Sequence, residues 1–304
     1  MLSSLPITPD QALLARASAA RPVPTGIVAA HGATVLESAR DAEAAGLIVP
    51  VLIGQKSRIL EGAAAIGWNV SDVEIVEADD APAAALRAAM LAGSGELGAL
   101  MKGDLHTDIL LRGVLDKSAG LRTGRRLTHI FRMSFPAGGR SITITDAAVN
   151  VAPDEEILFQ AAANAVQACH ATGIAEPKIA FLSATEDPIP SMPSSEAARR
   201  LAERCSNEIP KALFAGPLAM DNAISPDAAR AKGIRNPVAG HADVLVVPNI
   251  ETGNAIFKTL VYCSSACAAG VVMGAKVPVI LTSRADPPAA RITSAALAAC
   301  IAFK

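Results

Sequence analysis

The residues best placed to do chemistry sit where apolar runs stop. Val277-Pro-Val-Ile-Leu281 reads as a buried strand, and Thr282-Ser283-Arg284-Ala285-Asp286 follows it at once. A serine hydroxyl can donate to a phosphoryl oxygen, and an arginine can grip the same group with a two-pronged fork. A helix starting soon afterwards would add the positive end of its dipole. Ser283, Arg284 and Asp286 are therefore the candidate catalytic residues.

Three further strand ends repeat the plan. Val244-Leu-Val-Val247 runs into Pro248-Asn249-Ile250-Glu251-Thr252-Gly253-Asn254, with Lys258 on the same face of the expected helix as Asn254. Thr252 and Asn254 can hydrogen-bond a ligand, and Gly253 permits close backbone approach. Leu213-Phe-Ala-Gly216-Pro-Leu-Ala-Met220 leads to Asp221 and Asn222. Leu100-Met-Lys102-Gly103-Asp104-Leu-His106-Thr107 is followed by Arg112. Each segment taken singly is also what an ordinary capped helix would show. Four in one chain suggest an anion-binding cleft between two domains, at the carboxyl ends of the strands.

Other site types find little support. Gly93-Ser-Gly95-Glu-Leu-Gly98 matches a dinucleotide fingerprint, but a helix precedes it and a strand follows it, the reverse of what pyrophosphate binding needs. It reads instead as a helix C-cap turn. P-loop, zinc and nucleophile-elbow signatures are absent, and no carboxylate cluster suggests a metal. The five histidines (His31, His106, His129, His170 and His241) show no ligand spacing. Of the five cysteines only Cys263 and Cys267 are close. Their CxxxC spacing is not a zinc or redox spacing, and on a helix they would share a face as small core residues.

The elements that must position these groups alternate along the chain. Thr8-Pro9-Asp10-Gln11 resembles a capping box with proline at the first helical position. Helices are expected to about residue 20 and over 34–45, 55–66, 81–92, 106–117, 154–172, 194–204, 220–231, 251–265 and 288–302. Strands are expected over 26–30, 47–54, 73–77, 98–102, 126–134, 140–145, 178–183, 212–216, 243–247 and 277–282. This order predicts an α/β protein with mainly parallel sheets and helices on both faces. The rhythm breaks only near residues 120–146, where two strand-like runs flank Pro136-Ala-Gly-Gly139 as a hairpin. The domain boundary is expected there.

Composition agrees. Apolar residues make up 51% of the 304 but aromatics only 3%, so the core must be built from Ala, Val, Leu and Ile. A net charge of −2 does not suit a nucleic-acid surface. Mean hydropathy is +0.36, yet the longest apolar stretches, such as Ala266 to Ala275, are too short to span a bilayer. The N-terminus lacks the pattern of a signal peptide. A cytoplasmic protein is expected, with no membrane or nucleic-acid partner.

Taken together the segments resemble the phosphate acetyltransferase and butyryltransferase family, through nearly the whole chain. The likeness runs from Asp41 to Gly54 and through Met101-Lys-Gly103, Gly120-Leu-Arg-Thr-Gly-Arg-Arg126 and Ile144-Thr-Asp146-Ala-Ala-Val-Asn150. It continues in Gly216 to Ser225, Glu251-Thr-Gly-Asn254 and Ser283-Arg-Ala-Asp286. Ala184-Thr-Glu186 and Pro190-Ser-Met-Pro193 look like the butyryltransferase side. The chain is also similar to transferase modules fused to enoyl-CoA hydratases. The resemblance implies an isocitrate/isopropylmalate dehydrogenase-like fold, with residues 1–136 and 284–304 in one domain and 137–283 in the other, the second carrying a homodimer interface. It implies transfer of a short acyl group between coenzyme A and inorganic phosphate through a ternary complex. No cofactor is implied, since coenzyme A or acyl-CoA and phosphate or acyl phosphate are substrates. Ser283 and Arg284 would hold the phosphate, with Gly253, Asn254 and Lys258 nearby. Lys102, Gly103, His106, Thr107, Arg112, Asp146, Asn150, Asp221, Asn222 and Thr252 would bind substrate. The chain departs from the pattern at Ala290, where acetyltransferases carry a candidate base; the expectation is that either Asp286 serves instead or coenzyme A is deprotonated with less help.

Three readings follow. The first is a phosphate acyltransferase, acetyl favoured and butyryl the alternative. The second is a metal- and nicotinamide-dependent decarboxylating dehydrogenase of the same fold, which would need an Asp cluster. The third is a non-catalytic ligand-binding protein on the same scaffold.

Overall fold

The computed structural model describes residues 1–282 and 285–302. The first elements are α1 (Gln11–Ser18), β1 (Val23–Val28), α2 (Ala33–Ala44), β2 (Ile48–Gly54), α3 (Lys56–Ala65), β3 (Glu74–Glu77), α4 (Ala81–Ser94), β4 (Ala99–Lys102) and α5 (Thr107–Leu115). Then come β5 (Thr128–Ser134), β6 (Ile142–Thr145), α6 (Glu155–Ala171), β7 (Lys178–Leu182), α7 (Pro193–Glu208), β8 (Leu213–Leu218), α8 (Met220–Ile224) and α9 (Pro226–Ala231). The chain closes with β9 (Val244–Val246), α10 (Ile250–Ser264), β10 (Cys267–Met273), β11 (Val279–Ile280) and α11 (Pro288–Ala302).

The chain divides into two compact units, Met1–Thr8 with Thr128–Ala268, and Pro9–Leu127 with Ala269–Lys304. These bounds differ from the expected 1–136 with 284–304 and 137–283. The 128–145 hairpin lies wholly in one unit, because β5 pairs antiparallel with β6 through Phe131 and Ile144.

In the Pro9–Leu127 unit the strand order is β3-β2-β1-β4-β11-β10. All neighbours run parallel except β10 and β11. Strands covered on both faces bury nearly every residue, and Ile27, Val28, Leu52, Ile53 and Leu100 are sealed from solvent. Alanine lets the helices approach: α4 buries Ala84, Ala85, Ala88, Ala89 and Ala92. In the Thr128–Ala268 unit the order is β5-β6-β9-β7-β8, with β6, β9, β7 and β8 parallel. This is the α/β architecture expected from the alternating pattern.

The sequence reading missed β10. Its seven residues are all buried, so the run shows neither helical nor alternating periodicity. Cys263 ends within α10, Ser265 turns the chain with φ of 50°, and Cys267 opens β10. The two thiols therefore share no helix face, and Cys263 is exposed rather than in the core. The helix expected over 220–231 breaks in two. Pro226 has no N–H to continue α8, and Ser225 Oγ accepts from Ala228 N at 3.3 Å to cap α9. The cap of α1 is Asp10 rather than Thr8, its carboxylate accepting from Leu13 N at 3.0 Å.

The Gly93–Gly98 segment is a helix end, as read. Gly95 takes φ of 92° at the C-cap of α4, and Glu96 N donates to Leu91 O at 3.0 Å. Among the described residues, no helix is long and apolar enough to cross a membrane.

Candidate active site

Within the Thr128–Ala268 unit, β6 and β9 are parallel neighbours and end side by side, with Thr145 in register with Val246. After β6 the chain folds onto its own Asp146. The carboxylate accepts from Ala148 N and Val149 N at 3.0 Å each, from Asn150 N at 3.1 Å and from Asn150 Nδ2 at 2.6 Å. Asp146 is 2% exposed. Its role here is to hold the 146–150 turn.

After β9, Asn249 caps α10. Its Oδ1 accepts from Thr252 N at 2.9 Å and from Thr252 Oγ1 at 2.7 Å. Gly253 lies in the first turn against the 146–150 loop: a Cβ there would come within 2.9 Å of Ala147 Cβ and of Val247 Cγ2. Glycine is thus required by contact with protein, whatever else it permits. Val247 N donates to Thr145 O at 2.9 Å, tying the two exits together. Asp146, Asn150, Thr252 and Gly253 are brought together at this edge. Asn254 is half-buried one residue on, and Lys258 is exposed one turn later.

The β7 and β8 exits form a second group. Asn222 is buried, its Nδ2 donates to Glu186 Oε2 at 3.3 Å, and its Oδ1 has no hydrogen-bond partner among the described residues. Glu186 also pairs with Lys232 Nζ at 2.8 Å. That bond holds the Glu186 carboxyl below its usual range, while the same contact raises the Lys232 ammonium. Asp221 is exposed and accepts from Asn222 N at 2.9 Å.

In the Pro9–Leu127 unit the adjacent parallel strands β1, β4 and β11 end at one edge, Met101 being in register with Ile280. Lys102 ends β4, half-buried, with Nζ 3.5 Å from Gly103 O. Gly103 is forced by packing, since a Cβ would come within 2.1 Å of Val28 O. His106 is exposed and precedes α5 without a side-chain cap bond, and Thr107 is its first residue. Arg112 is exposed and pairs with Asp108 one turn earlier. Ser283 and Arg284 lie outside the described residues. Asp286 precedes α11, and its backbone oxygen accepts from Arg291 Nη1 at 2.8 Å. Ala290 is buried in the first turn of α11.

Sequence reasoning missed the pair His31–Asp104 at this same edge. His31 Nε2 lies 3.2 Å from Asp104 Oδ2, with side-chain exposures of 14% and 31%. Burial, and then the Arg58 cation, push the His31 ring below its ordinary range against the opposing pull of Asp104. The signal was present: each residue follows closely the end of its own strand, β1 or β4. Among the described residues no group of three or more His, Cys, Asp or Glu is placed to hold a metal.

A mainly apolar cavity of about 440 Å³ opens in the Thr128–Ala268 unit, between the first turns of α6 and α7 at the β7 and β9 exits. Leu158, Phe181, Leu201 and Val246 line it, and Asn249 borders it.

Comparison with known proteins gives this arrangement a family. The family model described as phosphate acetyl/butaryl transferase matches residues 83–299. A phosphate acetyltransferase of Rhizobium meliloti is 43% identical over 295 residues, covering 96% of this chain and 93% of that protein. A phosphate butyryltransferase of Clostridium acetobutylicum is 39% identical over 277 residues, covering 91% and 92%. Among solved structures, a branched-chain phosphotransacylase from Enterococcus faecalis V583 superposes with a TM-score of 0.82 at 31% identity, over 92% of this chain and 99% of that one. Likeness of fold alone, at 13% identity and a TM-score of 0.58, extends to a 4-hydroxythreonine-4-phosphate dehydrogenase from Burkholderia phymatum, over 93% of this chain and 99% of that one. By sequence along nearly its whole length and by the course of its backbone, the chain belongs to the phosphate acetyl/butyryl transferase family.

Proposed function

We propose that this protein catalyses reversible transfer of a short acyl group, acetyl favoured, between coenzyme A and inorganic phosphate. The observation that carries the reading is near full-length kinship with a phosphate acetyltransferase and a phosphate butyryltransferase. The strand exits of each unit, which carry the polar residues the sequence pointed to, support it. Ser283 and Arg284 hold the phosphoryl group, and the guanidinium balances the charge growing on it as the acyl–oxygen bond breaks. Thr252, Gly253 and Asn254 at the head of α10, with Lys258, serve an anionic part of a substrate. Lys102, His106, Thr107 and Arg112 serve coenzyme A or phosphate. Transfer is direct, from one bound substrate to the other, and no cofactor is used.

Acyl length is open between acetyl and butyryl, because one methylene in an apolar pocket discriminates by only about 1–3 kcal/mol. The butyryl reading has its own support in the apolar cavity beside Asn249 and in the butyryl and branched-chain relatives. The protein works in the cytoplasm as a homodimer. The dimer reading is supported by α10, which buries only Gly253 and leaves Phe257, Leu260 and Val261 half-covered and Tyr262 exposed.

The test is phosphate-dependent release of thiol from acetyl-, propionyl- and butyryl-CoA. Turnover with at least one is expected, with acetyl-CoA giving the highest kcat/KM. Butyryl-CoA ranking first would select the alternative, and no thiol release from any of the three would overturn the reading.

A further inference from the structure

Acyl transfer from phosphate to a thiol needs an acceptor for the thiol proton, since the thiolate is the nucleophile. Ala290 offers none. The edge formed by β1, β4 and β11 does offer one. Asp104 follows the end of β4, and its backbone N–H donates to Ala29 O at 3.0 Å, which pins its position to the exit of β1. A Cβ on Gly32 would sit 3.7 Å from Asp104 Cγ, so the carboxylate packs against the start of α2. His31 braces it through Nε2 at 3.2 Å.

The state of His31 follows from its two nitrogens. Nδ1 is buried with no hydrogen-bond partner among the described residues, so a proton there would be an orphaned donor. The neutral tautomer with its proton on Nε2 avoids that cost and donates to Asp104. Burial and the neighbouring Arg58 favour the same neutral form. His31 thus orients the Asp104 carboxylate without competing for the incoming proton. Asp104 keeps 31% of its side chain exposed, so a substrate can reach it. Its strand lies beside β11.

We infer that Asp104, oriented by His31, is the catalytic acceptor of the coenzyme A thiol proton. The inference rests on the proposed acyltransferase reading. As the proton passes from sulfur to an Asp104 oxygen, the sulfur forms its bond to the acyl carbonyl carbon. The bond from that carbon to the phosphoryl oxygen breaks, and its electron pair leaves with the phosphate. The proton then passes from Asp104 to the departing phosphate, so the products are thioester and hydrogen phosphate. In the reverse direction Asp104 returns a proton to the leaving thiolate. His31 is a positioning residue.

The experiment compares wild type with D104N, D104E, H31Q and D286N, following thioester formation from acyl phosphate and coenzyme A across pH. In D104N, kcat should fall by about 10²–10³-fold with each KM held within about threefold, as loss of a general base does. The residual D104N rate should climb with pH as the free thiol ionises. H31Q should lose about tenfold in kcat. A D104N kcat within threefold of wild type, a loss confined to KM, or transfer of the pH effect to D286N would each overturn the inference. If D104N fails to fold, D104E decides: it should keep the wild-type pH limb at lower kcat, and loss of that limb would overturn the assignment. A wild type inactive with every acyl phosphate overturns the acyltransferase reading itself. An active wild type with an unimpaired D104N overturns only the role of Asp104.

Discussion

Asn150 Nδ2 donates to Asp146 Oδ2 at 2.6 Å, and three backbone N–H groups between residues 148 and 150 converge on the same carboxylate. One buried side chain thereby supplies the acceptors for a whole strand exit. Asp146→Ala would remove the shared acceptor of those donors in a part-buried turn. Each orphaned buried donor costs about 1–3 kcal/mol, and partial relaxation of the turn recovers some of that, so a loss of about 2–4 kcal/mol is expected. Urea denaturation measures it directly. An unchanged midpoint would mean that the turn does not depend on Asp146.

Gly253 tests whether the two exits of the Thr128–Ala268 unit act as one piece. A methyl group there meets Ala147 Cβ and Val247 Cγ2 at 2.9 Å and Ala147 Cα at 3.0 Å. None of these is the far end of a flexible side chain, so α10 or the 146–150 loop must shift. Gly253→Ala should cost about 1–3 kcal/mol of stability, typical of overpacking. It should also lower kcat/KM, because Thr252 and Asn254 move with the helix. Full activity at full stability would show that the head of α10 tolerates displacement.

How much of this was legible beforehand depended on the range of the interactions. Local signals were read well. The αL glycine at 95, the apolar strands and the Pro-Ala-Gly-Gly hairpin each act over a few residues and left a pattern in the sequence. The strand β10 escaped because its seven residues are buried on both faces, so nothing alternates. The splitting of residues 220–231 turned on the missing N–H of Pro226, a signal that was present but outweighed by the surrounding periodicity. His31 and Asp104 are joined only by the parallel pairing of β1 with β4, which no local window contains. Asp146 was singled out, but its clasp of its own backbone depends on a turn geometry that residue types alone do not specify.

The cysteines separate by burial. Burial pushes the Cys169 thiol up to about 12, with Asp243 adding to the effect, and burial pushes the Cys205 thiol up to about 12 as well. Both should resist alkylation at pH 8 until the protein unfolds, whereas exposed Cys263 should react in the native state. The sign of the linkage is fixed by the direction of the shifts. Folded values above the ordinary 9.0 mean that these thiols contribute stability in full below about pH 9, and lose it as pH rises toward 12. Mass mapping of alkylated peptides with time checks the order of reaction. Early labelling of Cys205 in the native protein would contradict it.

Arg284 carries the most demanding prediction, because its role rests on chemistry and family membership. A phosphate leaving the acyl carbon gathers negative charge on oxygens that a guanidinium can meet with two parallel donors, which an ammonium cannot reproduce. Arg284→Ala should therefore lower kcat by about 10²–10³-fold, the scale of removing one preorganised donor from a developing anion. Arg284→Lys should recover only part of that loss, since it restores the charge without the fork. Thermal melting should be unchanged in both variants if the residue serves the reaction rather than the core. Inorganic phosphate as a competitive inhibitor against acyl phosphate provides the decisive comparison. Its inhibition constant should rise in Arg284→Ala, because free phosphate and the phosphate of the acyl phosphate share the site. A variant with normal turnover and unaltered phosphate inhibition would remove Arg284 from the anion site.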